Sequence, residues 1–95
     1  MANMISDYTA SGAKYEIKDL KDLIGSQKQV AWANSIRKRI FSEIMDKITP
    51  DYVDRIAVLL TEFDAEHTSA RYWIDNDRHS DAVCKEFYKF ASERM

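Results

Sequence analysis

Acidic side chains in the C-terminal third of the chain have a spacing that could hold a metal ion. Asp75, Asp77 and Glu86 occupy positions one, three and twelve of a calcium-binding loop. The fifth position needs an oxygen ligand but is His79, and the sixth needs a glycine for its sharp turn but is Ser80. Because these two positions lack the residues that a calcium-binding loop requires, we expect no calcium site.

Other metal-binding and catalytic patterns do not occur in the sequence either. Acidic residues and histidines cluster between positions 62 and 79, but no His-x-x-x-His or paired-cysteine spacing accompanies them. His67 and Cys84 both fall beside apolar helix faces, where such residues are typical of packing. Phosphate-binding loops, dinucleotide fingerprints and nucleophile elbows are missing from the sequence. We expect no metal, no cofactor and no catalytic site, and therefore not an enzyme.

The composition predicts one small helical domain. The chain has 95 residues, 45% of them hydrophobic, with only two glycines and one proline, which leaves little material for turns between strands. A single cysteine and a start without an apolar leader are typical of a cytoplasmic protein. The net charge of −2 gives no overall attraction to nucleic acid or anionic lipid. We expect an all-α, cytoplasmic protein with no membrane association, either a monomer or a weak homo-oligomer.

The N-terminal residues lack helical periodicity. Residues 1–14 mix serine, threonine, glycine and asparagine and predict a flexible leader. Residues 14–18 alternate polar and apolar side chains, as a strand does, but a lone strand would have nothing to pair with. We therefore expect an extended N-terminal arm, followed by a single helical domain within residues 15–95.

Helix start and stop signals divide the rest of the chain into four helices. Ser26 and Gln29 have the spacing of a capping box, and Thr49 followed by Pro50 ends that helix and starts the next. These signals predict long helices over about residues 27–48 and 50–66, a short helix over about 69–76, and a long helix from 80 onward. The expected architecture is a bundle of three longer helices and one short one.

Charge is distributed unevenly between the first two helices. Residues 27–48 carry five basic and two acidic side chains, whereas residues 50–66 carry one basic and five acidic side chains. Arg37 lies within the apolar face of the first helix, so it must reach solvent or meet a carboxylate.

Two segments carry a recognisable signature, at residues 25–37 and 69–76. The first has the pattern G-S-x-K-Q-apolar-x-W-A-x-x-I-R, and the second reads S-A-R-Y-W-I-D-N. The pair resembles a small helical module of bacterial and phage or mobile-element proteins, most of them uncharacterised. The resemblance implies an accessory protein that inhibits a host protein or defence complex, in the manner of an anti-CRISPR.

The signature residues fall mostly on inward helix faces. We interpret them as the docking of the first helix on the short one, with Trp32 and Trp73 in the interface and Arg37 paired with Asp75. An alternative interpretation is a pocket in which Arg37 and the two tryptophans hold an anionic or planar ligand.

Two binding functions compete. The favoured hypothesis is a protein partner with a basic surface, bound by an acidic face that comprises Asp51, Asp54, Glu62 and Asp64. The alternative is a nucleic-acid-binding accessory factor that uses the basic residues of the first helix, namely Lys28, Lys38, Arg39 and Lys47.

Overall fold

The computed structural model describes residues 3–94 and contains both helices and strands. The strands are β1 (Asn3–Tyr8) and β2 (Lys14–Leu20). The helices are α1 (Gln27–Asp46), α2 (Val53–Ala65), α3 (Ala70–Asp75) and α4 (Ser80–Ser92), and a single 3-10 turn (Pro50–Tyr52) precedes α2. The all-α prediction is therefore wrong, although the expected four helices are present among the described residues.

The strand that was expected to be unpaired has a partner. β1 pairs with β2 in an antiparallel hairpin, with Ile5 opposite Ile17. β1 lies within the segment predicted as a flexible leader, whose first two residues fall outside the described part of the chain. Its local pattern is weak because one edge and one face of the strand meet solvent, so only Ile5 is buried among residues 4–8.

The hairpin turn spans residues 9–13. The Thr9 N–H donates to the Ala13 carbonyl at 2.8 Å, and Gly12 has a φ of 91°, a value that glycine adopts without strain. The Ala10 N–H donates to Asp46 Oδ1 at 2.9 Å. The turn is therefore fixed to the C-terminal end of α1.

The helix boundaries follow the local signals in the sequence. The Ser26 side chain accepts the Gln29 N–H at 3.2 Å, and the Gln29 side chain accepts the Ser26 N–H at 3.1 Å, which confirms the capping box. Pro50 opens the 3-10 turn, and its N-cap residue Thr49 makes no side-chain capping bond. Ser69 is the N-cap of α3, also without a side-chain bond.

The elements pack around one core within the described residues. The inner face of the hairpin, including Tyr15, Ile17 and Leu20, packs on α2, while α3 packs on α1. Phe63 and Phe87 meet edge to face at 5.5 Å and join α2 to α4. The hairpin thus lies on the helical layer and contributes its inner side chains to the core.

A β-bulge interrupts the hairpin at Asp19. The register shifts between Asn3 and Ile5, so β2 contains one residue more than β1 there, and Asp19 has a φ of 59°. Next to the bulge, the Thr61 hydroxyl of α2 donates to the Lys18 carbonyl at 2.8 Å. The bulge therefore lets a backbone group of β2 bond to α2.

We expect the left-handed backbone at Asp19 to make this position sensitive to β-branched residues. Asp19→Val should lower the free energy of unfolding by about 1–2 kcal/mol, because valine disfavours positive φ, whereas Asp19→Gly should leave it unchanged or raise it. Urea denaturation measures both variants. An equal loss in the two would show that the carboxylate matters and the backbone conformation does not.

Candidate functional site

A buried ion pair joins α1 to α2. Arg37 Nη1 donates to Asp64 Oδ1 at 2.9 Å, and the two side chains are only 4% and 0% exposed. Arg37 Nη2 also donates to the Asn34 side-chain oxygen at 3.0 Å. Arg37 is therefore inward, as the sequence predicted, but its partner is Asp64.

The ion pair also fixes the segment between β2 and α1. The Lys21 N–H donates to Asp64 Oδ2 at 2.9 Å, and the Lys21 carbonyl accepts from Arg37 Nη1 at 2.9 Å. Both backbone groups of one residue are thus held by the two members of the pair. This arrangement holds the end of the hairpin to both α1 and α2.

The predicted contact between Arg37 and Asp75 is wrong. Asp75 lies on the exposed side of α3 and faces Arg71, with Nε to Oδ2 at 3.6 Å. Asp64 was assigned to the outward acidic face, yet it follows buried Leu60 by four residues, a spacing that places both on one side of a helix. That spacing is a signal in the sequence that Asp64 faces inward, although it does not name the cation that Asp64 meets.

The two signature tryptophans differ in their surroundings. Trp73 is fully buried, meets Phe41 edge to face at 5.5 Å, and donates its indole N–H to the His67 carbonyl at 3.0 Å. Trp32 is 54% exposed, so the prediction is confirmed for Trp73 and wrong for Trp32. The short helix α3 covers too little of α1 to bury both rings. Trp32 instead borders a shallow surface cavity next to Ile74.

The alternative ligand pocket for the signature residues does not form. Arg37 lies against Asp64 and Asn34 within the core, whereas Trp32 lies on the surface. The cavity lined by Arg37 and the cavity lined by Trp32 are separate, and Trp73, which is buried in the core, lines neither of them.

An acidic groove lies between β2 and α2. Its cavity of about 340 Å³ has Ala57 and Val58 in its apolar wall, and Val58 is 62% exposed. Carboxylates and one lysine surround this wall, namely Glu16, Lys18, Asp19, Asp54 and Glu62. We call these seven residues, with Thr61, the acidic groove.

The carboxylates of the groove differ in how far they are neutralised. Glu16 is 3.8 Å from Lys14 and 3.7 Å from Lys18, so two ammonium groups share it. Asp19, Asp54 and Glu62 make no ion pair with any residue between 3 and 94. The groove therefore carries excess negative charge beside an exposed apolar surface.

The groove contains two of the four predicted acidic-face residues. Asp54 and Glu62 line it, Asp51 is exposed at the 3-10 turn before α2, and Asp64 is buried and belongs to the core. Glu16 and Asp19 also line the groove, although the sequence did not predict it, because an arm of residues without strand partners would have no fixed position.

The basic residues of α1 do not form one patch. Lys28, Lys38, Arg39 and Lys47 are all exposed, but Lys28 and Lys47 lie at opposite ends of a helix about 30 Å long. Arg39 is held by Asp77, with Nη2 to Oδ1 at 2.8 Å. Phosphate contacts to these side chains would be scattered along the helix.

A cluster of polar aromatic side chains joins α3 to α4. The Tyr72 hydroxyl donates to Glu86 Oε2 at 2.9 Å, His67 Nε2 is 3.4 Å from Glu86 Oε1, and the His67 ring stacks on Tyr72 at 4.0 Å. Burial, followed by the bond to Glu86, raises the pKa of Tyr72 well above its ordinary value. The Tyr72 hydroxyl therefore stays protonated and keeps its hydrogen bond to Glu86, which holds α3 to α4.

The acidic residues with a calcium-loop spacing bond to side chains of other residues. Asp77 bonds Arg39, and Glu86 bonds Tyr72. Within residues 3–94, no group of three or more histidine, cysteine, aspartate or glutamate side chains is arranged to hold a metal ion.

Comparisons of the chain with protein-family models, curated proteins and solved structures find no significant match. In the described part of the chain, no helix has both the length and the apolar character needed to span a bilayer.

We expect the buried ion pair to stabilise the fold far more than the exposed pair on α3 does. Asp64→Ala should lower the free energy of unfolding by about 3–5 kcal/mol, because it leaves the Arg37 charge buried without a counter-ion. Asp75→Ala removes the acid of an exposed pair and should cost less than about 1 kcal/mol. Thermal and urea denaturation of both variants measure the difference, and comparable losses would contradict the structure.

Cys84 is a free thiol buried on α4. Burial raises the pKa of this thiol, and the nearby Lys47 opposes that effect only in part. Little thiolate is therefore present at pH 8, and the native protein should react with a disulfide reagent far more slowly than the urea-unfolded chain. Equal rates in the two states would show that Cys84 is accessible.

Proposed function

We propose that the protein is a non-enzymatic binding module whose acidic groove docks onto a basic surface of another protein. The observation that carries this proposal is the combination in one groove of three carboxylates without ion pairs, on Asp19, Asp54 and Glu62, and an exposed apolar wall at Val58. A lysine or arginine side chain matches both features, because its stem is apolar and its head is cationic.

Charge complementarity also sets how such a partner would bind. A groove with excess negative charge attracts a basic surface over a distance of about 10 Å at moderate salt, and the attraction weakens as ionic strength rises. The partner's cation would exchange water for the Asp54 and Glu62 carboxylates while the contact with Val58 excludes solvent. We therefore expect salt to slow association more than it speeds dissociation.

The signature supports a more specific role. Its resemblance to modules of phage and mobile-element proteins fits an accessory protein that inhibits a host protein or defence complex in an anti-CRISPR-like manner. A basic surface that otherwise binds nucleic acid would be a suitable target, because the carboxylates of the acidic groove could take the place of the phosphates.

The proposal predicts that binding depends on the groove and not on α1. We expect the double variant Asp54→Lys with Glu62→Lys to bind its partner at least ten-fold more weakly, because both substitutions reverse charge at the groove. Lys28→Glu with Lys47→Glu is the matched control, also two exposed charge reversals, and should bind as the wild type does.

The measurement is capture of proteins from a bacterial lysate by the immobilised chain, with and without nuclease, followed by titration of the purified partner. Retention after nuclease, loss in the groove variant and a steep salt dependence are the expected results. Loss only in the α1 variant, together with loss on nuclease treatment, would instead transfer the function to nucleic acid. Circular dichroism of each variant checks that the fold is intact.

A further inference from the structure

The outer edge of β1 presents backbone groups without strand partners. The Thr9 N–H bonds the Ala13 carbonyl in the same register that places Ile5 opposite Ile17, so the odd-numbered residues of β1 bond to β2. Backbone groups of alternate residues point to opposite edges, and no third strand is present in residues 3–94. The outer edge therefore carries the N–H and C=O groups of Met4, Ser6 and Tyr8.

One of these groups already has a partner. The Tyr8 N–H donates to Asp7 Oδ1 at 2.8 Å, a local bond that protects this end of the edge. The backbone groups of Met4 and Ser6 have no comparable bond to a neighbouring side chain in the described residues. The available part of the edge is thus centred on Ser6.

A groove follows this edge between β1 and α1. One cavity of about 200 Å³ is lined by Met4, Ile5, Leu20, Asn34, Arg37 and Lys38. A second of about 370 Å³ is lined by Asp7, Ser35, Lys38, Arg39, Ser42 and Glu43. Because Lys38 lines both, the cavities are neighbours, and we call them together the edge groove.

One buried hydrogen-bond donor beside this groove has no acceptor. Arg37 is 3% exposed and forms part of the wall of the first cavity, and its Nε makes no hydrogen bond. An unsatisfied buried donor is costly, and the groove leaves this one without compensation.

We propose that the edge groove binds an extended segment of a partner protein as a third strand beside β1, with an acidic side chain of that segment next to Lys38. An extended backbone supplies both the donors and the acceptors that Met4 and Ser6 require. Lys38 makes no ion pair within residues 3–94, so a carboxylate there gains an unshared partner.

The geometry favours a partner's segment over a second copy of this chain. α1 lies beside the same edge, so a second copy that added its own β1 would bring its own α1 and Lys38 towards the first. The like charges would repel each other and the helices would compete for the same space. The edge groove is also distinct from the acidic groove, which lies between β2 and α2, so this proposal goes beyond the proposed function.

A library of random linear octapeptides, displayed on phage and selected on the immobilised full chain, tests the proposal. We expect selected peptides to contain an aspartate or glutamate among β-branched residues. A synthetic copy, titrated by fluorescence anisotropy, should bind at least ten-fold more weakly to Lys38→Glu and to Ser6→Pro, because the first substitution reverses the charge and the second removes a backbone donor. Lys28→Glu on the same helix is the matched control and should bind normally.

Amide hydrogen exchange provides a readout that survives if Ser6→Pro does not fold. The peptide should slow exchange at Ser6 and leave Ile5, which already faces β2, unchanged. The proposal is overturned if no peptide is selected, if binding is unaffected by Lys38→Glu, or if Ser6 shows no added protection. A dimer of the chain that Ser6→Pro dissociates would also overturn it, since the occupant would then be a second copy.

Discussion

The buried pair of Arg37 and Asp64 is the constraint on which the arrangement of the elements depends. Removing two charges from water costs several kcal/mol each, and only close geometry with further hydrogen bonds offsets that cost. Here the further bonds go to both backbone groups of Lys21. The pair is therefore satisfied only when α1, α2 and the end of the hairpin have their native positions. A displaced element would leave a charge or a backbone group buried without its partner.

The segment between β2 and α1 is also held by backbone hydrogen bonds to residues 68–70, where the second signature segment begins. The Ile24 N–H donates to the Thr68 carbonyl at 2.7 Å, and the Ala70 N–H donates to the Ile24 carbonyl at 2.9 Å. A Cβ at Gly25 would lie 3.1 Å from the Ala70 Cβ, so glycine allows the two signature segments to approach closely. The signature thus encodes the contact of α1 with α3, while Trp32 remains on the surface. Its inward residues, such as Arg37 and Trp73, are buried in the core.

Both proposed binding surfaces follow from the small size of the sheet. Two strands cannot cover a helical layer of this width, so each edge of the hairpin leaves a groove against a helix. Beside β2 the groove meets the acidic side of α2, and beside β1 it meets the polar side of α1. The acidic groove has excess negative charge, whereas the edge groove has, within residues 3–94, unpaired backbone groups of β1 and a lysine without an ion pair. We therefore assign the two grooves to different kinds of partner.

The sequence by itself determined the helices, because their signals are local: a capping box, a proline at a first turn and apolar residues at helical spacing. It also determined that Arg37 is buried, that Trp73 belongs to the core, and that Asp54 and Glu62 are exposed. Only the tertiary structure decided what those residues meet. Strand pairing between residues 3–8 and 14–20, the choice of Asp64 over Asp75, and the joining of Glu16 and Asp19 to the acidic face of α2 all depend on contacts between separate elements. Such contacts are set by which elements pack together, and no local pattern specifies them.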